Sequence, residues 1–446
     1  MKGTGKKETV YYFLLSAFTK ALTYFLLLAF ANLFSPIDYG KATFATMVYT
    51  VASAFIFPGL TTVFVPAYVR KHDVASLFFF SGACAFAFAA LTLLVSTRYA
   101  LVWPLALCFV FAWITGIARA IMRAEHKYHH MQFTEILFVL SNLFFVFYWR
   151  GLGDVGIIYA LAVATFVSAV ASMWISRDGL ARIIVAPRLD MKIVRTFWVK
   201  GLSVAVLLLS FDVLGRGDAV IMGFLSTFEN VARYNIASAI AGALTIISMS
   251  ISMFLLTRSA ELGEEGSGGV FLRSVRIAFS LNLAAAIALV SFIHPIIATF
   301  FSKYAGDEIY VAILAASTLF YSIYLLYVTQ LAAHLAPERA LKTVILAAAV
   351  NVLLDFLLIP QWGMFGICAA TLVSGALAFS LIPVGLSAAQ KAAVYVSPAL
   401  IGAAFLLGPF GLLMLVPALA LLAWSGMFRN DDWLVLRHMG KEILRF

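Results

Sequence analysis

A stripe of polar side chains lies along the first apolar segment and includes a lysine. Tyr12, Ser16, Thr19, Lys20 and Thr23 follow the spacing of a helix, so they share one of its faces. A charged side chain inside a membrane span costs about 2.5–3.5 kcal/mol on insertion scales and therefore needs a polar partner or a water-filled cavity. We interpret the stripe as part of a cavity in which Lys20 meets an anionic substrate, with snorkelling to the membrane surface as the alternative.

A second group of charges lies mid-chain, where Asp212, Arg216 and Asp218 follow one another closely. Asp212 and Arg216 are four residues apart and can pair on one helix face, which leaves two interpretations open. In the first, the pair neutralises itself and fixes helix packing. In the second, Arg216 binds phosphate or an acidic sugar, and Asp212 or Asp218 is a proton or cation site.

Four further ionisable residues are candidates for the same chemistry. Arg119 and Arg123 lie at the end of the fourth apolar segment, where they either snorkel or form a basic vestibule that attracts a pyrophosphate group. Asp355 is the single ionisable side chain of an apolar hairpin, and we count it among the ion-coupling candidates. His294 is a further candidate because histidine is the residue type suited to proton coupling, with a satisfied interfacial group as the alternative.

The residues that build metal sites and hydrolytic centres are not arranged for either purpose. The loop from His126 to His130 has no carboxylate at ligand spacing beyond Glu125, and the three cysteines lie in apolar segments without metal-type spacing. The short loops predicted on the outer side hold no histidine beside a carboxylate, and the chain has neither an Asp-x-Asp sequence nor an ATPase motif. We therefore predict no metal, no cofactor and no enzymatic activity.

The elements that must position these residues are membrane helices. The chain has 446 residues, of which 63% are hydrophobic and 12% charged, and a mean hydropathy of +1.00. This composition is typical of polytopic membrane proteins. Cutting at charges and turn residues gives about fourteen spans of the length that crosses a hydrocarbon core. They lie near 11 to 33, 41 to 66, 74 to 95, 100 to 121, 132 to 149, 155 to 176, 199 to 225, 230 to 257, 274 to 301, 308 to 334, 340 to 359, 363 to 386, 392 to 408 and 410 to 428.

The distribution of basic residues orients these spans. If the N-terminus is cytoplasmic, most of the 31 Lys and Arg residues lie on the inner side, and the outer side receives only Lys41, Arg98, Arg150 and Lys303. This bias is the one that the positive-inside rule predicts for a multi-pass protein of the cytoplasmic (inner) membrane with both termini inside. The net charge of +10 therefore reflects topology and not nucleic-acid binding.

An internal repeat divides the chain into two lobes. Asn142, Gly153 and Thr165 match Asn351, Gly363 and Thr371 in the same order, each within a similar short sequence. An even number of spans separates the matches, which predicts two six-helix lobes related by a pseudo-two-fold axis along the membrane normal. We place the N-terminal lobe at 1–176, the second lobe at 199–390, and helices 13 and 14 with a basic tail at 391–446. Between the lobes, 177–198 is predicted as a cytoplasmic amphipathic linker, with a simple basic linker as the alternative.

Several of these segments resemble one family of transporters. The hairpin Asn351 to Ser374, NVLLDFLLIPQWGMFGICAATLVS, resembles the eleventh-to-twelfth helix hairpin of polysaccharide transporters, the flippases of the multidrug/oligosaccharidyl-lipid/polysaccharide exporter superfamily. The segment from Leu33 to Ala42 resembles their first-to-second helix turn, and the segment from Gly217 to Ala237 resembles their seventh-to-eighth helix region. Asp355 departs from the family pattern, in which a second Asn is more common.

The resemblance implies a fourteen-helix fold that moves a polyprenyl-pyrophosphate-linked oligosaccharide from the inner to the outer leaflet for O-antigen or exopolysaccharide synthesis. It also implies a polysaccharide polymerase and chain-length proteins as partners, beside the surrounding membrane lipids. A cation-coupled multidrug or metabolite antiporter of the same superfamily and a peptidoglycan-precursor flippase are the alternatives. An antiporter for cations would favour acidic cavity residues, whereas Lys20 and Arg216 favour an anion.

Overall fold

The computed structural model describes residues 4–56, 64–65, 68, 74–96, 103–125, 127–184, 195, 217–334, 338–429 and 432. These residues are helical or lie in short turns, and no strand occurs among them. The all-α fold expected from composition is therefore confirmed. The chain divides into two compact units, Met1–Leu209 and Ser210–Phe446.

The first unit contains seven described helices. They are α1 (Thr4–Leu33), α2 (Pro36–Ile56), α3 (Ala75–Ser96), α4 (Trp103–Ala124), α5 (Tyr128–Tyr148), α6 (Asp154–Ile175) and α7 (Arg177–Ile184). Helix α6 packs against α5, α4 and α2, and α5 also packs against α1. At the end of the unit where α4 finishes, Ile117 and Ile121 pack with Leu180 and Ile183 of α7 and with Phe64 in one buried apolar cluster.

The second unit contains ten described helices. They are α8 (Asp218–Leu225), α9 (Phe228–Gly242), α10 (Thr245–Gly266), α11 (Gly268–Ser291), α12 (Ile293–Phe300), α13 (Glu308–Ala333), α14 (Glu338–Trp362), α15 (Met364–Leu381), α16 (Ala388–Leu407) and α17 (Leu415–Ser425). Helix α13 is central, since it packs against α9, α10, α11, α15 and α16. Helix α14 packs against α15 on one side and α8 on the other, and this group of helices holds the polar residues described below.

The described helices include the apolar spans that a multi-pass membrane protein requires. Within the described part of the chain, nine helical stretches are long and apolar enough to cross a membrane, or ten if the bent pair α9 and α10 counts as one span. One of the nine stretches, Ala388–Ser425, contains both α16 and α17. These two helices pack against each other, which shows that the chain reverses direction near Gly408. The span predicted near 199 to 225 lies mostly outside the described residues.

Three tight hairpins in the chain are built in the same way. Gly153, Gly363 and Gly408 each begin a Gly-x-x-Gly sequence and have φ values of 59°, 55° and 56°. A Cβ on the second glycine would lie 2.3 Å from Trp149 O at Gly156 and 2.4 Å from Leu358 O at Gly366. The first glycine is needed because L-residues rarely adopt this φ, and the second because two helix ends approach closely.

The internal repeat is visible in the local structure of the two units. Ser35 and Thr227 each accept a hydrogen bond from the backbone N–H three residues later, at the start of α2 and α9. Asp38 then lies beside Gly153, and its counterpart Asn230 lies beside Gly363. The sequence matches therefore correspond to matching hairpins and helix starts within each unit.

The predicted linker is only partly described. Arg177–Ile184 forms α7, an amphipathic helix in which Leu180 and Ile183 are buried while Arg182 is exposed. Arg188 and Lys192, which define the basic face of the predicted helix, lie outside the described residues.

Candidate functional site

Six polar side chains meet in the interior of the second unit, in what we call the carboxylate cluster. Asp218 begins α8 and Tyr234 lies on α9, while α14 and α15 contribute two residues each. The members are Asp218, Tyr234, Asn351, Asp355, Thr371 and Ser374, and each is at most 4% exposed. Asn351 and Asp355 are four residues apart and therefore project from one face of α14. Four helices thus converge on one polar site.

Asn351 joins the two carboxylates of the cluster. Its Nδ2 donates to Asp218 Oδ1 at 2.7 Å and to Asp355 Oδ2 at 3.0 Å. Its Oδ1 accepts a hydrogen bond from the Ser374 hydroxyl on α15. Asn351 therefore bonds to α8 and α15 as well as to Asp355 of its own helix, and a single amide sets the distance between the two acidic groups.

The second oxygen of each carboxylate has a different environment. Asp218 Oδ2 accepts from the Tyr234 hydroxyl at 2.8 Å and from Thr371 Oγ1 at 2.9 Å. Asp355 Oδ1 is buried without a hydrogen-bond partner. A buried carboxylate oxygen without a donor is costly, so this oxygen marks the place in the cluster where a proton or cation is required.

No basic side chain of the described residues forms an ion pair with either carboxylate. Two carboxylates that share a buried site repel each other, and isolated ionised groups of this kind are strongly disfavoured in an apolar interior. The charge can be compensated by a proton on one carboxyl group or by a small cation coordinated by the carboxylate, amide and hydroxyl oxygens. Among the described residues no group of three or more His, Cys, Asp or Glu is placed to hold a metal ion, and the oxygen set of the cluster is that of hard cations.

In the internal repeat, the first unit has the same residue types at three neutral positions of this cluster and apolar residues at its two acidic positions. Asn142, Thr165 and Ser168 correspond to Asn351, Thr371 and Ser374 in the repeat. In the same register, Asp355 corresponds to Val146, and Asp218 corresponds to Leu26 because α1 and α8 end at equivalent positions. Val146 and Leu26 are both buried. The repeated architecture therefore forms with apolar residues at these positions, which argues that the carboxylates serve a function beyond folding.

The predicted polar stripe of α1 divides into two environments. Thr19 is buried, and its hydroxyl lies 3.4 Å from Gln132 Oε1 of α5. Lys20 and Thr23 are exposed, and the Thr23 hydroxyl donates to Thr19 O at 2.8 Å. Tyr12 and Ser16 lie on the same helix, but their side chains are outside the described part of the structure. The cavity role of Lys20 remains a prediction.

The two arginines of α4 differ in their surroundings. Arg119 donates from Nη1 to Glu135 Oε1 of α5 at 3.1 Å, and its Nε is buried without a hydrogen-bond partner. Arg123 is exposed. Arg119 is thus held on one side by a carboxylate and keeps one unsatisfied donor, which is compatible with the predicted contact to an anionic group.

Of the remaining candidates, only His294 lies among the described residues, and it does not join the carboxylate cluster. Asp212 and Arg216 lie outside the described residues. His294 is 82% exposed at the start of α12, and its Nδ1 lies 3.3 Å from Glu308 Oε1. Asp218 and Asp355 are therefore the two candidates that the structure brings together.

A further acidic group lies just before α13. Asp307 Oδ1 accepts from Arg233 Nη1 at 3.3 Å, while Asp307 Oδ2 is buried without a partner. Burial raises the pKa of Asp307 from 3.8 to about 6, although the neighbouring Arg233 guanidinium opposes this shift. Arg233 also donates from Nη2 to Glu229 Oε1 at 2.9 Å, since side chains four residues apart share one face of α9.

Sequence reasoning missed Tyr234, Asn351, Thr371 and Ser374 as members of the site. Thr371 and Ser374 were visible as part of the repeat, and Asn351 and Asp355 as a polar pair on one helix face. Tyr234 has no comparable signal, since tyrosine is common at membrane interfaces and its role depends on contact with a distant helix.

Comparison with known proteins supports the fold. No family model and no curated protein sequence matches the chain. A solved structure of the lipid II flippase MurJ in an inward closed conformation matches with a TM-score of 0.75 at 14% identity, over 95% of this chain and 99% of that chain. An inward-facing multidrug resistance MATE family transporter of the MOP superfamily matches with a TM-score of 0.63 at 14% identity, over 86% of this chain and 96% of that one.

A third structure, the MATE transporter ClbM in complex with Rb⁺, matches with a TM-score of 0.50 at 18% identity, over 86% of this chain and 94% of that one. These matches confirm the all-α fold expected from the resemblance, which is the fold of the lipid II flippase and of the MATE transporters. Together with the apolar helices they identify the chain as a multi-pass membrane protein. Because the identities are low, the likeness concerns the fold and not the substrate.

Proposed function

We propose that this chain is a flippase that moves a polyprenyl-pyrophosphate-linked oligosaccharide from the inner to the outer leaflet of the cytoplasmic membrane. The observation that carries the proposal is the fold that the chain shares, over 95% of its length, with a lipid II flippase. The cargo that we propose is a repeat unit of a cell-surface polysaccharide, such as O-antigen or exopolysaccharide. Transport proceeds by alternating access with both termini in the cytoplasm, and a polymerase and chain-length proteins then use the product.

The proposed substrate contacts are basic and polar side chains. Lys20 and Arg119, together with Arg123 and Arg216, attract the pyrophosphate, because guanidinium and ammonium groups form strong charge-assisted hydrogen bonds to phosphate. Tyr12, Ser16 and Thr23 supply neutral hydrogen-bonding groups for the sugars. The polyprenyl chain stays in the lipid throughout.

The proposed coupling site is the carboxylate cluster. A proton or monovalent cation binds at Asp218 and Asp355, and its arrival or release changes the net charge of a buried site at which α8, α9, α14 and α15 meet. Since a buried uncompensated charge is strongly disfavoured, occupancy of the site favours one arrangement of these helices over another. Ion binding can drive substrate transport if both are coupled to the same change in the arrangement of these helices.

The first experiment measures the sidedness of lipid-linked oligosaccharide in cells that lack the protein, with a probe that cannot cross the inner membrane. We expect the intermediate to accumulate on the cytoplasmic face and to move outward when the gene is restored. Normal sidedness in the deletion strain would overturn the proposal. A restored gene that carries Lys20→Ala tests the substrate contacts, and full transport by this variant would remove Lys20 from the site.

The same cells discriminate between the two related functions. Accumulation of the peptidoglycan precursor in place of an oligosaccharide repeat unit would assign the chain to peptidoglycan synthesis. A cation-coupled antiporter is the other candidate, and the observation that favours it is the pair of buried carboxylates in a fold shared with a MATE family transporter. Unchanged lipid-linked sugars combined with reduced efflux of a small cationic compound would support that candidate.

A further inference from the structure

An apolar groove runs along the surface of helices α5 and α6 in the first unit. Its volume is about 540 Å³, within the range of clefts that hold small ligands. Side chains from both helices line it, and none of the lining residues is polar. They include Phe133, Phe166, Val170, Trp174 and Ile175. Both helices are apolar and long enough to cross a membrane, so the groove lies in the hydrocarbon region.

The groove spans the depth of a single leaflet. Phe166 and Trp174 mark its extent along α6, and eight residues of α-helix correspond to roughly 12 Å. Half of a hydrocarbon core of about 30 Å is about 15 Å. Trp174 lies close to the end of α6 at Ile175, so the groove begins at the membrane surface and ends near the bilayer midplane. A single hydrocarbon chain entering from this side fits these dimensions.

The surface end of the groove carries positive charge. The Arg177 guanidinium lies 5.2 Å from the centre of the Trp174 ring, in a cation–π contact. Trp174 is 72% exposed, and tryptophan favours the level of the lipid headgroups. Asp178 is 3.7 Å from Arg177, but both side chains are highly exposed, so this ion pair is weak and leaves the guanidinium open to an anion.

Two other basic residues near this end are held by a carboxylate. Lys127 and Arg182 lie 2.8 Å and 3.5 Å from the two oxygens of Glu125. The cation–π contact with Trp174, a ring that also lines the groove, places the Arg177 guanidinium directly at the opening of the groove. Phosphate is the anion that occurs at this depth in a bilayer, and it binds guanidinium groups well.

We propose that this groove is a binding site for an anionic phospholipid, whose acyl chain fills the space between α5 and α6 and whose phosphate meets Arg177. The apolar lining holds the chain, and the position of Arg177 selects a headgroup with net negative charge. This site is separate from the carboxylate cluster and does not depend on the transported substrate.

The test uses quenching of Trp174 fluorescence by bromine-labelled lipids. The full chain is reconstituted in phosphatidylcholine vesicles that contain either brominated phosphatidylglycerol or brominated phosphatidylcholine at equal mole fraction. The signal of Trp174 is the difference between the unmodified protein and Trp174→Phe. We expect the anionic lipid to quench this signal at about fivefold lower mole fraction, which corresponds to the ~1 kcal/mol contributed by one basic residue near a lipid headgroup.

Two pairs of variants locate the effect. Arg177→Gln should remove the preference for the anionic lipid, whereas Arg150→Gln, at the opposite end of the helix pair, should leave it unchanged. Ala171→Phe fills the groove and should reduce quenching, whereas Leu140→Phe adds the same ring to an exposed position of α5 away from the lining. All variants are first compared for monodispersity and melting temperature.

Three results would overturn the proposal. Equal quenching by both lipids in the unmodified protein would indicate an unselective lipid annulus. A preference that persists in Arg177→Gln would place the selective group elsewhere. Displacement of brominated phosphatidylglycerol by undecaprenyl phosphate, but not by unlabelled phosphatidylglycerol, would assign the groove to an isoprenoid chain.

Discussion

Asn351 holds two carboxylates at hydrogen-bond distance from one amide nitrogen, and this arrangement makes the charge state of the carboxylate cluster sensitive to a single proton or cation. Asp355 supplies the oxygen without a partner, so it is the residue whose charge has the least support from the protein. Asp218 is supported by two hydroxyl donors in addition to the amide. The two carboxylates therefore differ in role although they share one site.

The first prediction concerns Asp355→Asn, which keeps the shape of the side chain and removes its charge. The unmodified protein should melt at higher temperature in sodium chloride than in choline chloride of equal ionic strength, because a cation that binds only the folded state stabilises it. The gain reaches about 2.7 kcal/mol at a concentration 100-fold above the dissociation constant. Asp355→Asn should fold and lose this response.

The matched control is Asp154→Asn on α6, which removes a carboxylate 4.0 Å from Lys41 and outside the cluster. It should retain the response to sodium. An unchanged sodium response in Asp355→Asn would show that the cation binds elsewhere. Absence of a response in the unmodified protein, with a transport rate that depends on pH, would indicate a proton as the coupled ion.

The second prediction concerns Asp307, which has a pKa of about 6 in the folded protein against an ordinary value of 3.8. A carboxyl group whose pKa is raised by folding binds protons more readily in the folded state. The raised pKa of Asp307 therefore stabilises the folded state fully below about pH 4. This stabilisation is lost as the pH rises through about 6. Asp307→Asn should be more stable than the unmodified protein above pH 6, by roughly 1–2 kcal/mol after solvent screening around Arg233 is allowed for.

The measurement is the denaturation midpoint of both proteins between pH 4 and 8. Asp178→Asn is the control, because the Asp178 side chain is 81% exposed and a substitution at so exposed a position is expected to change stability little. A lower stability of Asp307→Asn at pH 8 would mean that the ion pair with Arg233 outweighs the cost of burial.

At the scale of helices, the three Gly-x-x-Gly hairpins explain why the chain turns so abruptly between apolar spans. We predict that Gly366→Ala destabilises the protein strongly, because the added Cβ would lie 2.4 Å from Leu358 O and the two helix ends would have to separate. Gly402→Ala is the matched control, since nothing lies within 4 Å of its Cβ and alanine favours a helix by about 1 kcal/mol. Thermal unfolding in detergent should show a lower midpoint for the first variant and an unchanged or higher one for the second. Equal midpoints would mean that the hairpin tolerates an open form.

Element boundaries were predictable where a turn residue interrupts an apolar run. The hairpins at Gly153 and Gly363 follow the predicted breaks, because only glycine adopts the required φ readily and the sequence displays it. The break between α9 and α10 was not predicted, since the two helices form one apolar run and meet at a bend of 51° without a proline. Hydropathy measures the length of an apolar run and does not register a bend inside it.

At the scale of the molecule, the sequence predicted the membrane class, the repeat and two members of the candidate site. It could not predict that Asp218 and Asp355 meet, because their contact joins residues on distant parts of the chain through Asn351. Helical periodicity identifies which residues share a face, but it does not identify the facing helix. The repeat became informative about these two residues only after the helix ends of both units were known. Aligning those ends showed that the first unit has apolar residues, Leu26 and Val146, at the positions of Asp218 and Asp355.

This asymmetry between the units leads to the last prediction, on the double variant Asp218→Leu with Asp355→Val. The substitutions give the second unit the residues that the first unit has at Leu26 and Val146, where Asn142 Oδ1 is buried without a hydrogen-bond partner and the helices still pack. Apolar replacement of buried charged groups is often neutral or stabilising by about 1–4 kcal/mol. The double variant should therefore melt in choline chloride at or above the temperature of the unmodified protein, while both its sodium response and its transport of lipid-linked oligosaccharide are lost. A variant that fails to fold would instead assign the carboxylates a structural role, and a folded variant that transports normally would place ion coupling outside the cluster.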